Sequence, residues 1–210
     1  MKHTPNLEIM EFVEREILPR YASFDPAHQL SHVSAVIKNA LMLAKSTGTD
    51  IDMCYVIAAY HDLGLEGPRA VHHLTGGKIL AGDARLRRWF SAEQIKTMKE
   101  AVEDHRASAS RAPRSIYGKI VAEADRNIDR EEVCRRTFQY GLNHFPDLSD
   151  EEQYLRFKEH LNSKYGPNGY MKLWIHPSPN DQPLRELRAL IENEDELRQM
   201  FEKLRTENGE

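Results

Sequence analysis

Cys54-Tyr55-Val56-Ile57-Ala58-Ala59-Tyr60-His61-Asp62 is apolar on every side of a helix until it stops at a histidine and an aspartate. A helix that is apolar all round has to be enclosed by others, so this stretch predicts the central helix of a helical protein, opening near Asp50. Its end delivers His61 and Asp62 into the interior. An ionised carboxylate there is costly unless it is paired or bound to a metal. The doublet alone decides little, because Asp62 capping the next segment and His61 bonding within the core would account for it equally well.

Outward from that stretch the chain reads as helix after helix, with no alternating strand. A segment at 7–18 has apolar residues at Leu7, Met10, Val13, Ile17 and Leu18 and is ended by Pro19. A helix at 30–47 carries Val33, Val36, Ile37, Ala40, Leu41 and Ala44 on one face, with Gly48 as its C-terminal cap. After a loop at 63–68, a helix runs through His72 to Leu80 despite Gly76-Gly77, a pair that lowers helix propensity and implies close backbone packing. Ser91-Ala92-Glu93-Gln94 has capping-box spacing and opens a helix ending at His105. A basic loop at 106–114 leads to a helix at 115–128, with Ile116, Ile120, Val121 and Ala124 inward and Asp125 in mid-helix. Beyond residue 130 come a helix to about Tyr140, a second capping box at Ser149 and Glu152, a Gly/Pro-rich stretch at 165–183 and one charged helix at 184–204. The expected fold is all-α: a core at 1–130 that holds the chemistry, and a helical extension at 131–210 packed on it in a single structural domain.

With 210 residues, 40% of them hydrophobic and 30% charged, the chain has a globular rather than a disordered composition. A formal charge of −4 gives no reason to expect a nucleic acid duplex as partner. No apolar run approaches the ~20 residues that span a bilayer, and the N-terminal residues lack a secretory apolar stretch, so the expectation is a cytoplasmic protein with no membrane partner. Cys54 and Cys134 cannot form a disulfide framework. Cys54 reads as a buried inert thiol, and Cys134, although beside Arg135 and Arg136, has no adjacent base.

Six side chains remain: His32, His61, Asp62, His72, His105 and Asp125. Imidazole nitrogen and carboxylate oxygen are the donors that hold divalent first-row metals. Each has a plainer explanation taken singly. His32 is a boundary residue with His28 as its i,i+4 companion; His105 complements a helix dipole; Asp125 pairs with Arg126. His72 and His73, about 100° apart on a helix, cannot both face inward. Taken together in apolar helical sequence, the six read as one metal site with room for two ions.

Ala27-His28-Gln29-Leu30-Ser31-His32-Val33 with Val36, Ala58-Ala59-Tyr60-His61-Asp62-Leu63-Gly64, and Ile120-Val121-Ala122-Glu123-Ala124-Asp125-Arg126 resemble the HD-domain superfamily of metal-dependent phosphohydrolases, over about 27–129. His72-His73-Leu74-Thr75-Gly76-Gly77-Lys78-Ile79-Leu80 is similar to the histidine-then-glycine helix of members with a dinuclear site, which selects His72 over His73, and Glu103-Asp104-His105-Arg106 is similar to the next ligand segment. The cyclic-dinucleotide phosphodiesterases called HD-GYP differ: no second histidine follows His105 closely, and there is no Gly-Tyr-Pro.

The resemblance implies a helical bundle in which the six residues bind one or two divalent ions (Fe, Mn, Co, Ni, Zn or Mg), with Asp62 as the bridge. It implies hydrolysis of a phosphate mono- or diester, a nucleotide or other small phosphorylated metabolite, by metal-activated water. Asp62, Arg106 and Asp129 are the candidate catalytic residues, with Glu66 a further proton-transfer group. Arg69, Lys78, Arg106, Arg111 and Arg114 are candidates for holding substrate phosphate. Two other readings stand beside this one. One is a diiron oxygenase of the same ligand arrangement, resembling inositol oxygenase and a phosphonate-cleaving oxygenase. The other is a non-catalytic nucleotide sensor. The oligomeric state stays open, a homodimer included.

Overall fold

The computed structural model describes residues 4–25, 28–109 and 111–209. Ala27, the first residue of the opening motif, lies outside them. Among the described residues the regular structure is helical and no strand forms. None of the helices is long and apolar enough to cross a membrane. The chain divides into two units, Met1–Arg126 and Asn127–Glu210.

The first unit holds α1 (Leu7–Glu16), α2 (Leu30–Thr47), α3 (Ile51–Tyr60), α4 (His72–Gly82), α5 (Ala92–Glu103) and α6 (Ile116–Ala124), with short 3-10 turns between α1 and α2, α3 and α4, and α4 and α5. The Asp50 carboxylate accepts the backbone N–H groups of Asp52 and Met53 and so starts α3. Every residue of α3 except Asp52 is buried, and the helix packs against α1, α2, α4, α5 and α6. It is the expected central helix. Gly48 closes α2 in the left-handed conformation, at φ 66°. Leu7 and Ile116, expected inward, are exposed; the buried face of α1 is instead Ile9, Phe12 and Val13.

Glycine brings the chemistry-bearing ends together. A Cβ at Gly64 would stand 1.8 Å from the His72 carbonyl oxygen and 2.6 Å from the Gly76 nitrogen. A Cβ at Gly77 would stand 2.8 Å from the Glu103 Cγ. The backbone after the His61-Asp62 doublet therefore lies directly on the first turns of α4, and α4 lies directly on α5. This is the close packing that the adjacent glycines imply.

Asp125 is not in mid-helix. The helix expected to reach residue 128 stops at Ala124, with Asp125 as its C-cap. The Arg126 N–H turns back to Glu123, and the Asn127 side chain accepts from the Asp129 N–H, which breaks the helical ladder.

The second unit holds α7 (Arg130–His144), α8 (Asp150–Tyr165), α9 (Asp181–Glu192) and α10 (Glu194–Glu207). Its core is aromatic: the rings of Phe138, Tyr154 and Phe157 lie 5.2, 5.4 and 5.5 Å from that of Phe201. The single helix expected at 184–204 is two helices. Asn193 separates them, accepting the Glu196 N–H while its amide donates to the Glu196 carboxylate.

Candidate metal centre

Three of the four histidines of the cluster are aimed by carbonyls at helix ends. The Nδ1 of His61 lies 2.8 Å from the Ala58 carbonyl, that of His72 2.7 Å from the Arg69 carbonyl, and that of His105 2.6 Å from the Val102 carbonyl. A carbonyl can only accept, so in all three rings Nδ1–H donates, and a ring that gives up its second proton presents a lone pair at Nε2. Tyr21, buried in the turn after α1, adds a brace. Its hydroxyl donates to the Ala59 carbonyl at 2.9 Å and accepts the Asp62 N–H at 3.4 Å, which ties the doublet to the core.

Those nitrogens meet in two groups joined by one carboxylate. His32 Nε2 lies 3.1 Å from His61 Nε2, and Asp62 Oδ2 lies 3.4 and 3.2 Å from the two. Asp125 Oδ1 closes this set at 3.4 Å from His32 and 3.8 Å from His61. On the other side, His72 Nε2 lies 3.1 Å from His105 Nε2, and each is 3.5 Å from Asp62 Oδ1. Asp62 thus turns one oxygen to each pair of histidines.

The donor set fits divalent cations. Two lone pairs facing each other across 3.1 Å repel unless a proton or a cation lies between them. Donors bound at about 2.1 Å to a common ion stand roughly 3.0–3.4 Å apart for octahedral to tetrahedral angles, close to the spacings above. His32, His61, Asp62 and Asp125 could hold one ion, and Asp62, His72 and His105 another.

Burial and neighbouring charge set the protonation of the cluster. Burial alone would depress His61, but the Asp62 and Asp125 carboxylates outweigh it and hold the ring at about 9. Burial would raise Asp62, yet the charge of His61 and hydrogen bonds from His105, His32 and His61 keep it far below the ordinary carboxylate range. His72 is held down at about 4, by burial first and by the charge of His105 second.

The remaining sequence candidates lie outside the two donor sets. His73 points elsewhere; its ring centroid is 5.7 Å from that of His72, and its Nδ1 is buried. Arg114 bonds the Asp104 carboxylate through its backbone and side chain and also reaches Glu103 and the Glu100 carbonyl, bracing the end of α5 against the start of α6. Lys78 is exposed about 120° around α4 from His72, turned from the cluster by helical geometry. Arg69, 67% exposed, pairs with Asp25 at 3.3 Å and contacts His28, whose ring lies edge-on to His32. Arg106 donates to the Ala70 carbonyl at 3.0 Å, and Arg111 reaches Asp104 at 3.5 Å. Asp129 is the N-cap of α7 in the second unit, accepting the Glu132 N–H at 2.8 Å, and Glu66 is held bidentately by Arg20. Tyr21 and the contact of Gly64 with α4 escape sequence reasoning, since neither leaves a local or periodic signal.

Residues 30–127 match the family described as HD domain, a segment that contains all six donors. No curated protein matches the chain. Among solved structures, the crystal structure of a predicted HD superfamily hydrolase from an uncultured Thermotogales bacterium is similar: 24% identity over 75% of this chain and 88% of that one, with a TM-score of 0.48. Just under half of the chain is thus similar to the HD domain family, and the side chains in the order His, His-Asp, His, His, Asp that come together in the structure all lie inside the matched segment.

Proposed function

We propose that this chain is a metal-dependent hydrolase of a phosphate mono- or diester, acting on a small phosphorylated metabolite. The observation that carries this reading is the Asp62 carboxylate, shared between two histidine pairs whose lone pairs converge. When bound, one or two divalent cations would supply positive charge against phosphoryl oxygens and acidify the attacking water.

The chain's own residues do the positioning. The three Nδ1–carbonyl bonds lock the rings so that little reorganisation is needed on binding. The apolar body of α3 and the Tyr21 brace exclude water from behind Asp62. Arg106 and Arg111 are the cations left for the substrate's negative charge, since Arg114 is taken up by Asp104 and Glu103.

Imidazole and carboxylate also suit iron that activates oxygen, so the test has to separate the two reactions. Purified protein is assayed for bound metal, then for phosphate release from phosphomonoesters and diesters with Mn, Fe, Co and Mg, while dissolved oxygen is followed. Phosphate release without oxygen uptake, abolished in Asp62→Ala, is the expected outcome. Oxygen uptake coupled to substrate loss would make it an oxygenase, and recovery of intact nucleotide under every metal would make it a binding module.

A further inference from the structure

Beside the donor cluster lies a cleft of about 240 Å³, lined by His73, Leu74, Glu103, Asp104, Arg106, Ser108, Ala109 and Arg111. None of the six donors lines it, yet their chain neighbours do: His73 follows His72, while Asp104 and Arg106 flank His105. The cleft therefore adjoins the second donor pair along the chain.

Its charge is unequal. Glu103 is bonded by Lys99 and by Arg114 at 2.8 Å, and Asp104 by the Arg114 backbone at 2.7 Å and its guanidinium at 2.9 Å. Arg114 also reaches the Glu100 carboxylate at 3.9 Å, so these two cations face three carboxylates, and Arg106 and Arg111 turn the local balance positive by one. Arg106 has one N–H on the Ala70 carbonyl, and Arg111 is 62% exposed and 3.5 Å from Asp104. Leu74 supplies an apolar wall and Ser108 a hydroxyl. The volume falls below the ~300 Å³ at which ordinary ligand sites begin, so the cleft suits one compact group rather than a nucleoside.

We infer that this cleft takes a second, non-reacting acid group of the substrate, a carboxylate or phosphate held by the Arg106 and Arg111 forks. Resting on the hydrolase reading above, this narrows the substrate to a small phosphate ester carrying another anionic group. The esterified phosphate would lie at the donor cluster, and the other group would fix the molecule's orientation.

The test uses the full chain stripped of metal with a chelator and titrated calorimetrically with inorganic phosphate and, separately, with acetate. Binding of either at millimolar concentration is expected, and the tighter one identifies the group. Arg111→Gln and Arg106→Gln should each weaken it about tenfold, the effect of losing a charge-assisted hydrogen bond. Arg111 is mostly in solvent, so its variant keeps the wild-type circular dichroism and metal content. Asp62→Ala should bind phosphate as the wild type does, which lets this inference and the metal reading fail separately. No binding of either anion to the stripped wild type, or unchanged binding in both arginine variants, would overturn it.

Discussion

Replacing Asp62 by alanine removes an oxygen from both donor sets, whereas replacing His72 removes a nitrogen from only one. Metal analysis of the two variants should therefore differ. Asp62→Ala is expected to retain no ion, and His72→Ala to keep the one held by His32, His61, Asp62 and Asp125, with helical circular dichroism retained in both. Equal metal content in Asp62→Ala and wild type would remove the shared-carboxylate reading. Gly64 makes a second prediction at this scale. Its missing side chain leaves room for the His72 carbonyl, and a methyl group 1.8 Å from a backbone oxygen cannot be relieved by a rotamer change. Gly64→Ala should cost at least about 3 kcal/mol, the upper range for overpacking. It should also lower metal affinity, because α4 must move and take His72 with it. A wild-type urea midpoint would contradict this.

At the scale of elements, what the sequence reveals follows the range of the signal. Helix α2 is readable to the residue, since its apolar period and the Gly48 cap are both local, and both capping boxes form as their spacing requires. The six donors are legible for the same reason, each lying at a helix end or on an apolar face. The break at Asn193 is harder to read, because no glycine or proline marks it and its one local sign, an asparagine followed three residues later by Glu196, sits in a uniformly charged run. The basic loop hides its contacts for a related reason: nothing in 106–114 reveals that Arg114 folds back on Asp104 while Arg111 stays mostly in solvent.

The turn after α4 gives an element-scale prediction. Asp83 accepts from Tyr60 at 2.8 Å and from the Arg85 guanidinium at 2.7 and 2.8 Å. Burial would raise this carboxyl, but the Arg85 and Tyr60 hydrogen bonds outweigh it and hold it below its ordinary value. A depressed folded value stabilises the protein above the unfolded carboxylate range, and that contribution disappears as pH falls through the lower folded value. The stability difference between wild type and Asp83→Asn, read from urea midpoints, should shrink as the solution is acidified from neutrality. A gap independent of pH would deny Asp83 that role.

For the whole molecule, the two units each carry one buried thiol, Cys54 in the first and Cys134 in the second. Burial pushes both up to about 12. The thiolate is the reacting form, and at pH 8 a group with that value is ionised to the order of one part in ten thousand. Neither cysteine should therefore be alkylated in the folded protein, and each should react only when its own unit opens. All six donors belong to the first unit, so metal acts on the opening of Cys54 directly. A ligand at a hundred times its dissociation constant stabilises the native state by about 2.7 kcal/mol. Labelling of Cys54 in dilute urea, followed by peptide mass spectrometry, should thus slow about a hundredfold when a binding divalent metal is added. That protection should vanish in Asp62→Ala. If Cys54 is labelled at the same rate with and without a metal shown to bind, the ion is not held by the fold that encloses α3. The cluster of His32, His61, Asp62, His72, His105 and Asp125 would then have to be abandoned as its site.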